Sequence, residues 1–96
     1  MRYQLAFSKP PSGQFRVTAQ PIGSSVPAIT THYRNDEAFL RLIDRANLAP
    51  DEYARLVFAT MVAVTSPESP ACCEEVALDM QQLTLLQLNG ARQNVA

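Results

Sequence analysis

Few side chains in this sequence are of the types that do chemistry. His32 is the one histidine, and no acid precedes position 36. An imidazole that moves protons needs a second tuned group within hydrogen-bond reach. In the extended run 28–33 it points away from Ile29 and Tyr33, so it reads as a surface histidine. Cys72 and Cys73 are the only cysteines, and they are neighbours. A disulfide between adjacent residues is strained. Two thiols with one distant imidazole also fall short of the four ligands of a structural zinc site. The pair is expected to be reduced and partly buried. Asp51 and Glu52 resemble paired carboxylates, but adjacent helix residues do not face each other. Like Glu74, Glu75 and Asp79, they read as partners of helix dipoles or as solvated groups. No phosphate-binding glycine loop, dinucleotide fingerprint, nucleophile elbow or HExxH sequence is present. No catalytic, cofactor-binding or metal-ligating residue is therefore assigned, and the chain is read as a non-enzyme.

Charge carries more information. Residues 1–35 hold Arg2, Lys9, Arg16 and Arg34 with no acid, whereas 36–96 hold nine acids against four arginines, a net −5. The overall −1 thus hides a polarised chain. Its basic part is also its most regular. Tyr3, Leu5 and Phe7 alternate with polar or small residues, and so do Phe15, Val17 and Ala19. Period two over both runs predicts two half-buried strands. Between them, Lys9-Pro10-Pro11-Ser12-Gly13 is a hairpin loop by composition. A register centred on residue 11 pairs Phe7 with Phe15, Leu5 with Val17 and Tyr3 with Ala19. The opposite face then presents Arg2, Gln4, Arg16 and Thr18 and lacks carboxylates, making these residues the candidate partner-binding face. A β-ribbon of that kind can contact phosphates, so nucleic-acid binding is an alternative. Four cations are few, however, and the isoelectric point is about 5.7. An acidic protein surface explains the face at least as well.

The remaining elements follow from periodicity and caps. Residues 28–33 predict a third strand. Asn35 or Asp36 caps a helix with Phe39, Leu42, Ile43 and Ala46 inward, and with Glu37 and Arg41 paired outside. Pro50 opens a second helix to about residue 64, whose inner face groups Tyr53, Val57, Met61 and Val64. An extended 61–64 is the alternative. Residues 56–64 are nine without a charge, far short of the about 20 a membrane helix needs. A helix apolar all round is either fully buried or meets another chain, so Phe58 and Val62 are the candidate self-association residues. Beyond the loop 65–70, one helix over 70–88 is the first reading. A short strand at 75–78 followed by a helix capped by Asp79 competes with it.

The expected fold is α+β: an N-terminal antiparallel hairpin extended to a three-stranded meander, packed on one face by two or three helices. Residues 1–90 form one domain and 91–96 a disordered tail. The core should hold Leu5, Phe7, Phe15, Val17, Ile29, Phe39, Ile43, Val57, Met61, Met80 and Leu83. The expected function is that of a small non-catalytic protein-interaction or regulatory module, homodimeric and without cofactors. Nucleic-acid binding, or an enzyme or small-ligand binder without a known motif, are the alternatives. The N-terminus lacks the apolar run of a signal peptide, which makes the cytoplasm the expected location, with no membrane partner.

Overall fold

The structure, a computed structural model, describes residues 2–10, 13–65 and 72–88. Its elements in chain order are β1 (Arg2–Ser8), β2 (Phe15–Pro21), β3 (Ile29–Tyr33), α1 (Asp36–Arg45), α2 (Pro50–Thr65), β4 (Cys72–Ala77) and α3 (Met80–Leu85). The sheet is antiparallel with strand order β3-β2-β1-β4. The α+β architecture anticipated from periodicity is therefore the one observed, with β1–β2–β3 a meander and the helices on one face. A fourth strand is added on the far side of β1. The tail at 91–96 lies outside the described residues.

Alternation sets the faces. Leu5, Phe7, Phe15, Val17 and Tyr33 have no exposed surface. Above them α1 inserts Phe39, and Phe7, Phe15, Tyr33 and Phe39 form a cluster with ring centroids 5.0–6.3 Å apart. Each such aromatic pair contributes about 0.5–1.5 kcal/mol beyond the area it buries. Asn35 caps α1, its Oδ1 accepting the Ala38 N–H at 2.9 Å. Leu56, Ala59, Thr60 and Ala63 face α2 inward.

Several expectations are corrected. The hairpin pairs Phe7 with Val17, Leu5 with Ala19 and Tyr3 with Pro21, two residues from the predicted register. A slip of two returns every side chain to its own face, so alternation excludes odd slips and cannot choose between even ones. The predicted inner face of the second helix is rotated: Tyr53 and Met61 are exposed, and Val57 and Val64 only half-buried. The buried face is made of Leu56 with the small side chains Ala59, Thr60 and Ala63, and it leaves Tyr53, Phe58 and Met61 outside. Residues 61–64 are helical, so the extended alternative fails. The single helix over 70–88 is replaced by β4 and α3, the competing reading in kind, with the strand starting three residues earlier and ending one residue earlier than 75–78. Met80 is consequently 70 % exposed in the first turn of α3, not in the core. Ile29 is half-buried at its strand's start.

The two edges of the sheet are tied to helical segments. At β4, Glu52 of α2 accepts the Ala77 N–H at 3.0 Å, and Arg55 Nη1 donates to the Glu75 carbonyl at 2.9 Å. At β3, the Thr31 and Tyr33 hydroxyls donate to the carbonyls of Gln87 and Leu86, at 2.7 and 2.6 Å. That second tie is possible because α3 ends in a left-handed turn, with Gln87 at φ 64°. The Leu88 N–H returns to Leu83 and the Gln87 N–H to Thr84, closing the helix with two orphan carbonyls satisfied.

Candidate functional site

The outer sheet face gathers the four residues proposed from sequence. Arg2, Gln4, Arg16 and Thr18 project from the side opposite the core, on neighbouring strands. They do not form a focused site. Arg2 opens β1, whereas Arg16 lies opposite Ser8 at its other end. Six residues of strand separate the two positions, about 20 Å at 3.3 Å per residue. Arg16 Nε donates to Ser8 Oγ at 3.3 Å, and the Thr18 and Thr30 hydroxyls are 2.9 Å apart. The face is not free of acid. β4 brings Glu75 opposite Gln4, and Glu75 forms an ion pair with Arg2. The sequence split hid this because Glu75 lies 73 residues from Arg2. His32 is exposed on the same face, opposite Arg16.

The residues expected from sequence to self-associate lie on the outer side of α2. Phe58 is 65 % exposed, Met61 45 %, and Val62 half-buried beside them. With Val57 they make an apolar stripe carrying no charge. At its N-terminal end Tyr53 donates to Asp44 of α1. That bond, then burial, holds the Tyr53 phenol above its ordinary value. Also there, Arg55 is shared between Asp51 at 3.3 Å and Glu74 at 3.6 Å. Arg55 Nε–H is not aimed at either carboxylate, so this contact is coulombic.

Two concavities were not anticipated. One, of about 180 Å³, is lined by Tyr3, Ala19, Pro27, Ile29, Met80 and Leu88, and is mainly apolar. The other is a groove of about 540 Å³ beside α1, with Arg34, Arg41 and Arg45 on its rim and Ala38, Leu42 and Gln87 along it. The expected Glu37–Arg41 pair does not form. Arg41 and Arg45, four residues apart in α1, share one helical stripe, a spacing present in the sequence, and Arg34 joins them from the bend before the N-cap Asn35. Among the described residues no cluster of three or more His, Cys, Asp or Glu could hold a metal ion, and no helix is long and apolar enough to cross a membrane. Comparison with protein-family models, curated proteins and solved structures finds no match to this chain.

Proposed function

We propose that the chain is a non-catalytic protein-interaction or regulatory module that pairs with a second copy of itself through the outer face of α2. The observation that carries the reading is Phe58, an aromatic ring 65 % exposed in the middle of an uncharged helical stripe. A phenylalanine in water forgoes roughly 1.5–3 kcal/mol that burial would return. Val57 lies beside it and Met61 and Val62 extend the patch over the next turn, and contiguous apolar surface of this kind marks interaction sites. A two-fold axis through the stripe would lay each Phe58 against the other copy's α2, the self-complementary arrangement of closed dimers. The adjacent thiols Cys72 and Cys73 suit a reducing compartment, and we place the module in the cytoplasm.

The test is the mass in solution. Light scattering at micromolar concentration should give a dimer for the native chain and a monomer for Phe58→Asp, with the far-ultraviolet circular dichroism unchanged because the position is exposed. A monomeric mass for the native chain overturns the reading.

A further inference from the structure

We infer that the groove beside α1 is a docking site for an extended acidic segment of a partner protein. Arg34, Arg41 and Arg45 rim it, Ala38 and Leu42 give it an apolar floor, and its volume is about 540 Å³. Among the described residues none of the three guanidinium groups has a hydrogen bond or ion pair.

The charge inventory says where their partner must come from. The described acids beyond α1 are already engaged. Glu75 pairs with Arg2, Asp51 and Glu74 lie beside Arg55, Glu52 accepts from Ala77, and Asp79 caps α3. Within α1, Asp44 accepts from Tyr53, and Asp36 and Glu37 occupy the first turn at the positive end of the helix dipole. Among the described residues, a second copy of the chain therefore has few carboxylates to offer this groove. The complement to three forked cations is an external set of carboxylates, which guanidinium binds in pairs of parallel hydrogen bonds.

Spacing selects an extended peptide. Arg41 and Arg45 are one helical turn apart, with Cβ atoms about 5–6 Å from each other. Arg34 lies outside the helix, in the bend just before the extended N-cap Asn35, and reaches the groove from beyond the start of α1. Every second side chain of an extended strand points the same way at intervals of about 7 Å, so alternating acids can reach successive arginines while small apolar residues lie on Leu42 and Ala38. Single-stranded nucleic acid has similar phosphate spacing. It is bound by stacking on aromatic platforms, and among the described residues no aromatic side chain lines the groove.

The probe is a short labelled peptide alternating glutamate and alanine, titrated with the full chain and followed by fluorescence anisotropy. Saturable binding at low salt is expected, weakening as salt is raised. Arg41→Gln/Arg45→Gln should weaken it about tenfold, as the loss of charge pairs at an interface does. Lys9→Gln, in the hairpin loop away from the groove, should leave it unchanged. The proposal is overturned by the absence of saturable binding to the native chain, by an equal loss in Lys9→Gln, or by tighter binding of a labelled single-stranded oligonucleotide. These readouts do not depend on the oligomeric state.

Discussion

Tyr33 illustrates how much one side chain decides. Its ring is fully buried in the aromatic cluster, and its hydroxyl donates to the Leu86 carbonyl at 2.6 Å. Burial pushes the phenol well above its ordinary value, opposed only in part by Thr31. The folded chain thus keeps a proton that the unfolded chain releases above pH about 10. Stability from this source is complete below that pH and falls as the pH rises further. Tyr33→Phe should cost about 1 kcal/mol near neutrality and should flatten the alkaline decline. Urea midpoints across the alkaline range measure both, and an undiminished decline in the variant would assign the proton elsewhere. Gln87 makes the opposite case. Its φ of 64° is a left-handed conformation that costs a side chain energy and glycine none. Gln87→Gly should therefore raise stability by about 0.5–1 kcal/mol, because its backbone carbonyl still accepts from Thr31. A lower thermal midpoint for this variant would show that the Gln87 side chain does more than tolerate its backbone.

The elements were legible in proportion to how local their causes are. Alternation named β1 and β2, and Asn35 named the start of α1, because each signal lies within a few residues. The hairpin register was not legible, since Phe7 faces the core whether Phe15 or Val17 stands opposite it. β4 was legible only as a competing reading: Cys72–Ala77 is a strand because β1 offers it a ladder and α2 meets its other edge. Periodicity in that stretch fits a helix equally well. The exposed apolar stripe of α2 was foreshadowed by the charge-free run around Phe58, whereas the arginine groove needed the fold to bring Gln87 beside α1. Arg55 ties α2 to β4 through the Glu75 carbonyl and the half-buried Glu74. Arg55→Leu strips both of their partner and should destabilise the fold by about 1–3 kcal/mol. Chemical denaturation measures it. Glu74→Gln in the same chain should recover part of the loss, because no charge is then left on the inner face.

At the scale of the whole molecule, the polarised sequence becomes a structure whose charges are largely reconciled at one edge and left open at another. The basic strands meet the acids of β4 through Arg2 and Glu75, while Arg34, Arg41 and Arg45 find no such partner among the described residues. The acid-free face inferred from the first residues was an effect of reading the chain in order, and the topology ends it. That same topology has a consequence for biosynthesis. β1 lies at the centre of the sheet, between β2 and β4, yet the residues of β4 are synthesised long after it. At about 5–20 residues per second, a nascent chain waits several seconds before the second neighbour of its first strand leaves the ribosome. Throughout that interval one side of β1 is an open template, available to chaperones or to the nascent strand of a neighbouring ribosome.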